Sequence, residues 1–163
     1  MSISLEELNK FVGFGMGDIC PNSFTTSDEN HCAHFVSHAL KQTTGLLCGS
    51  MKYETRGTGV TVRCHQLYNG LEQRGSWDSR PAFDNGILIF VTDKQNVVND
   101  TMINVPKKHV GIHHSGQVFH FSNGQHKVVR DPTVEAFHAK FRKSYAGKNI
   151  SLFYGVPLNY CPT

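Results

Sequence analysis

The sequence has no long apolar run. None of its hydrophobic stretches approaches the ~20 residues that a membrane-spanning helix needs, so a soluble chain with no membrane partner is expected. CxxC pairs and an HExxH helix are missing, which removes the usual signatures of a zinc ribbon, a thioredoxin-like dithiol and a zinc peptidase. Charge is sparse: 18% of residues are charged and the net charge is +3, too small and too dispersed for nucleic-acid binding, though compatible with an anionic polymer. Around Ser4-Leu5-Glu6-Glu7 there is neither a basic segment nor an apolar core, so no secretory signal is expected and the product is cytoplasmic as made. Internal repeats and low-complexity tracts are also lacking.

What is present fits one globular domain over 1–163, 39% hydrophobic and large enough for a core without staples. Cys20, Cys32, Cys48, Cys64 and Cys161 make an odd set, so at least one is unpaired in a monomer, and the disulfide state of the others stays open. Ten histidines are many for this length.

Cys32, Phe35, Val36, Ala39 and Leu40 follow the i, i+3, i+4, i+7, i+8 stripe of a helix buried on one side. Thr26 and Glu29 have capping-box spacing ahead of it, and Gly45 suits a C-terminal cap. Cys32 then lies in the first turn, where backbone N–H groups and the helix dipole favour a thiolate and can serve an oxyanion. The same place suits a small core residue, so the stripe alone leaves both roles open.

Around this helix, Ser4 and Glu7 form a capping box for a short helix ending at Gly13, and the Gly13–Thr25 loop is either a cleft wall or a plain connector. A short strand is expected near Met51-Tyr53. A helix is expected from Cys64 through Leu71, with Gly75 beyond its end and Cys64 in the core. After an Asp84-Asn85-Gly86 turn, Ile87 to Val91 reads as a buried central strand. Asp93 to Lys108 is irregular and long enough to rim a cleft. A strand over His126–Arg130, a helix over Thr133–Lys143 and a final strand over Ile150–Val156 complete an α+β chain.

Lys108 to Asn123 predicts a hairpin turning at Ser115-Gly116. With a two-residue turn, strand parity puts His109, Gly111, His113, Val118, His120 and Ser122 on one face, and Val110, Ile112, His114, Gln117, Phe119 and Phe121 on the other. His109 and His120 are then diagonal neighbours, close enough for a base and the group that orients it. His113, His114, His126 and His138 read as structural.

The order of a cysteine at a helix start, a Gly-led apolar strand and His-Val-Gly-Ile on a hairpin resembles the NlpC-type, papain-like cysteine peptidases of bacterial cell walls. Asn30-His31-Cys32-Ala33-His34-Phe35-Val36 is similar to the family's nucleophile helix, Asn85-Gly86-Ile87-Leu88-Ile89-Phe90 to its central strand, and His109-Val110-Gly111-Ile112 with Val118-Phe119-His120 to its histidine strands. The resemblance covers roughly Asn30 to Arg130. It implies an α+β papain-like fold with N-terminal helices packed on a central antiparallel sheet. It also implies Cys32 as nucleophile, His109 as base, His120 as third member, and no cofactor or metal. Ala33-His34 and Ile87 depart from the family pattern. Cys-Ala-His-Phe-Val is also similar to the lecithin:retinol acyltransferase group, where the histidine precedes the cysteine; here the cysteine comes first.

The function implied is a peptidoglycan amidase acting on peptide stems, with Asn30, His31 and Arg56 as substrate contacts. Small members of this kind include amidase effectors exported by type VI secretion, so a monomer acting in the periplasm and checked by an immunity protein is the analogy. Cysteine acyl transfer or deamidation on the same fold, and an inactive ligand-binding member, remain alternatives. So does a His-rich metal-binding module, since His34 and His38 stand i, i+4 on one helix.

Overall fold

The computed structural model of the chain describes residues 2–22, 25, 30–51, 57–82, 85–147 and 149–160. Its centre is a six-stranded sheet in the spatial order β1 (Arg74–Ser76), β8 (Ile150–Gly155), β2 (Ile87–Asp93), β5 (Lys108–His114), β6 (Gln117–Ser122), β7 (Lys127–Asp131). Every pairing in it is antiparallel. A separate ribbon, β3 (Val97–Val98) with β4 (Thr101–Met102), lies in the segment read as irregular. The helices are α1 (Leu5–Phe11), α2 (Met16–Ile19), α3 (Cys32–Leu40), α4 (Cys64–Asn69) and α5 (Val134–Tyr145). The mixed α+β class with a mainly antiparallel sheet is as the sequence predicts. No helix among the described residues is long and apolar enough to cross a membrane.

The unbroken apolar run of β2 has a direct cause: both faces of the sheet are covered. Leu88 and Phe90 face a core shared with Phe35, Tyr68, Val110, Ile112 and Phe119, under α1, α3 and α4. Ile87, Ile89 and Val91 face a second core with Trp77, Phe137 and Phe141, under α5. An antiparallel strand with one wet face would alternate. Full burial of each large apolar side chain here contributes about 1.5–3 kcal/mol.

The hairpin forms as its parity requires. Ser115 (φ 52°) and Gly116 (φ 77°) make the two-residue turn, and β5 meets β6 through Ile112↔Phe119, His113↔Val118 and His114↔Gln117. Gly111 sits where β5 and β6 cross closely: a Cβ there would meet Val118 Cγ1 at 2.8 Å, Phe119 O at 2.9 Å and His120 Cβ at 3.1 Å. Gly111→Ala is therefore expected to push β6 outward and cost about 2 kcal/mol, by the usual penalty of overpacking. Urea denaturation checks this; an unchanged midpoint would show that the strands absorb the methyl.

Several boundaries differ from the sequence reading. The Ser4–Glu7 capping box is present with both hydrogen bonds, but α1 ends at Phe11. α3 stops at Leu40, with Lys41 in the left-handed conformation (φ 57°) as its cap, not Gly45. Gly45 is held near Gln66, whose side-chain oxygen takes the Leu46 N–H. α4 ends at Asn69 before Gly70 rather than running through Leu71, because Thr44 packs against Gly70 and Arg74 to Ser76 pair with β8. Cys48–Met51 is a 3-10 turn where a strand was expected to begin. The rest of that expected strand, the Thr26–Glu29 box, Asp84, Arg56 and Cys161 lie outside the described residues.

Candidate active site

Cys32 is the first residue of α3 and is only 2% exposed. Its sulfur meets the start of β5, beside the His109 imidazole and the Val110 backbone. Val110 lies beyond the residues of β5 that pair with β6, so Cys32 approaches backbone that β6 does not claim. On another side stands Cys64, the first residue of α4, close enough for the two thiols to influence each other. The Cys64 thiol, then the neighbouring His109, hold Cys32 well below the ordinary cysteine range, although burial opposes this. The same contact pushes Cys64 well above that range. Of the two sulfurs, Cys32 is the one that neighbours the His109 imidazole.

Behind His109 runs a chain of hydrogen bonds. His109 Nε2 lies 2.9 Å from His120 Nδ1. His120 Nε2 lies 2.8 Å from Asp131 Oδ2, and Lys140 Nζ donates to Asp131 Oδ1 at 2.6 Å. Burial brings His120 down to about 4, although Asp131 pulls the other way. His120 is therefore neutral at neutral pH, and the Asp131 charge is balanced by Lys140. Against burial, the bonds from His120 and Lys140 keep the Asp131 carboxyl below its usual range. A neutral His120 facing a carboxylate carries its proton on Nε2 and accepts at Nδ1. His109 must then donate from Nε2, which turns Nδ1 toward Cys32. One carboxylate so fixes the tautomer of two rings.

Helix α5 holds these rings in place. Phe141 stacks on His109 at 4.4 Å and 26°, and Phe137 lies 5.1 Å from His120. Phe137, Phe141 and Tyr145 form an i, i+4, i+8 stripe, while Lys140 reaches Asp131 from the adjoining face. This helix closes the hairpin face that carries His109 and His120.

Two clefts reach the site. One, of about 200 Å³, is lined by Cys32, Asn30, Arg63, His65 and Lys108; the other, of about 400 Å³, by His109, His120, Lys140, Ser144 and Tyr145. Asn30, Lys107 and Lys108 border both. No carboxylate lines either cleft among the described residues, so both are basic.

Cys32, His109 and His120 come together, as the hairpin parity anticipates. Asn30 adjoins them: its Oδ1 accepts the Cys32 N–H at 3.0 Å. That N–H, expected to serve an oxyanion, is thus engaged by Asn30. His31, expected on a substrate wall, is buried instead, packed on His34 and Phe121 with its N–H given to Asn123 Oδ1. Arg56 lies outside the described residues, and Arg63, Lys107, Lys108 and Lys140 are the cations that face the clefts. Sequence reasoning missed Asp131, Lys140 and the Cys64 contact. The signal for Asp131 was strand parity: β7 pairs Val129 with His120, and Asp131 follows on the same face. Comparison with protein-family models, with curated proteins and with solved structures finds no match to the chain.

Proposed function

We propose that this chain is a papain-like cysteine hydrolase of the NlpC type that cleaves amide bonds in peptidoglycan stem peptides. The observation that carries the reading is the chain His109–His120–Asp131, in which the carboxylate sets the tautomer of His120 and His120 that of His109, with Cys32 beside His109. Nucleophile, base and orienting group on three separate elements are what nucleophilic acyl transfer requires. The basic clefts supply the second support. Stem peptides bear free carboxylates, and Arg63, Lys107 and Lys108 surround the approach to the sulfur.

In this mechanism the Cys32 thiolate attacks the amide carbon and a C–S bond forms. The Asn30 carboxamide holds the Cys32 N–H through its oxygen and lines the same cleft, so its NH2 group is the donor assigned to the developing oxyanion. The His109 Nδ1 proton passes to the leaving nitrogen as the C–N bond breaks. Water, deprotonated by His109, then attacks the thioester. The acid leaves, and the thiolate and imidazolium are restored. His120 and Asp131 orient the base throughout without taking its proton.

The test is a digest of purified peptidoglycan by wild type, Cys32→Ala and Asn30→Ala, with muropeptides read by mass spectrometry. Wild type is expected to generate a new amine and carboxylate pair, Cys32→Ala none, and Asn30→Ala about 10²-fold less, as for loss of one oxyanion donor. Intact muropeptides with wild type would overturn the substrate assignment. The same cleavage by Cys32→Ala would overturn the mechanism.

A further inference from the structure

A second cluster of reactive side chains lies away from the candidate active site. Cys20, at the end of α2, His34 and His38 on α3, and Cys48 in the 3-10 turn place one ligand atom each within 4.8 Å of one another. On α3, at 100° per residue, His34 and His38 stand about 200° and 240° round from Cys32. The cluster therefore occupies the opposite flank of the helix, and the two sites share no residue. We propose that Cys20, His34, His38 and Cys48 form a tetrahedral structural zinc site that fastens α3 to the segments on either side of it.

Four observations support it. Two sulfurs bound to one tetrahedral zinc at 2.3 Å lie about 3.8 Å apart; Cys20 Sγ and Cys48 Sγ are 3.9 Å apart, much too far for a disulfide. Cys48 Sγ is also 3.9 Å from His38 Nε2, so a metal between them needs only a small contraction. Secondly, N–H donors converge on the Cys48 sulfur as they do on metal thiolates. Asn22 Nδ2 and Val60 N reach Cys48 Sγ at 3.2 and 3.4 Å, and the Asn22 backbone lies beside Cys20. Thirdly, His34 turns Nδ1 to His31 Nδ1 at 3.2 Å, the kind of outer contact that orients a ligating imidazole through its other nitrogen. Finally, charge balances: Zn²⁺ displaces one proton from each thiol, and Zn²⁺ with two thiolates and two neutral imidazoles is neutral overall. That neutrality suits ligands of which three are buried.

The set is closed, with four protein ligands and no place for water, so its role is structural. Binding draws together segments 20, 34–38 and 48, which are far apart along the chain, so metal affinity is coupled to folding.

The test is metal analysis of the full chain, expressed without a histidine tag and purified under reducing conditions. One zinc per chain is expected. Replacement by cobalt(II) should give the thiolate charge-transfer band and the strong visible bands of a tetrahedral ion. Cys20→Ser and Cys48→Ser should lose the metal, and Cys32→Ala should keep it. If the serine variants fail to fold, alkylation of the wild type decides instead: Cys20 and Cys48 should be protected until a chelator is added. Metal well below one per chain after zinc loading would overturn the proposal. So would a Cys20–Cys48 disulfide in the reduced preparation, or an octahedral cobalt spectrum. Loss of the muropeptide activity by Cys32→Ala with zinc retained keeps this result separate from that of the proposed hydrolase.

Discussion

Asp131→Asn is expected to lower alkylation of Cys32 by iodoacetamide at neutral pH about 10²-fold, and turnover by about 10²–10³-fold, with the fold intact. The carboxylate accepts on both sides, from His120 Nε2 and from Lys140 Nζ. A carboxamide cannot. With its oxygen held by Lys140, its NH2 group faces His120 and forces Nε2 of that ring to accept. The His120 proton then moves to Nδ1, His109 Nε2 becomes the acceptor, and His109 points an N–H at Cys32 where a lone pair is needed. The base is lost although every heavy atom stays in place. The midpoint of Cys32 alkylation against pH should rise accordingly. Adding Lys140→Met to Asp131→Asn lets the carboxamide oxygen turn to His120 and should restore most of the reactivity, while Lys140→Met alone should change it less than tenfold. If the double variant is as slow as Asp131→Asn, the carboxylate acts through its charge and the tautomer argument fails.

The features that the sequence disclosed are those governed by chemistry within a few residues. The Ser4–Glu7 box, the apolar run of β2 and the Ser115-Gly116 turn each depend on local periodicity or local backbone preference. Parity across that turn was enough to pair His109 with His120. What escaped depends on contacts distant in the chain. β8 returns between β1 and β2, which no local signal announces. The hairpin face of His109 and His120 is covered by α5, whose aromatic stripe reads as an ordinary core stripe until the rings beneath it are known. Asp131 falls between the strand expected over His126–Arg130 and the helix expected from Thr133, yet it is the last residue of β7. Cys20 and Cys48 come to His34 and His38 only through the path of the connecting segments, so the i, i+4 histidine pair looked incomplete along the sequence.

Stability should fall as pH drops from about 6.5 to about 4, with about 3 kcal/mol of the loss due to His120 alone. Its ring is almost fully buried between Phe137, Phe141 and His109, and burial is what brings it from 6.5 to about 4. The sign follows from where the proton binds. Below about 6.5 the unfolded chain takes a proton at this ring and the folded chain does not, so acidification favours unfolding. Below about 4 both states are protonated and this contribution stays lost. Protonation of folded His120 would also remove the lone pair that accepts from His109, so the orienting chain should fail in the same interval. Urea denaturation of wild type and His120→Gln across pH 4 to 7 isolates the effect. Glutamine can accept from His109 and donate to Asp131 without titrating, so its stability should be flatter by about 3 kcal/mol over the interval. Parallel curves for the two proteins would mean that His120 does not carry the acid sensitivity, and that its neutral form is not what the fold selects.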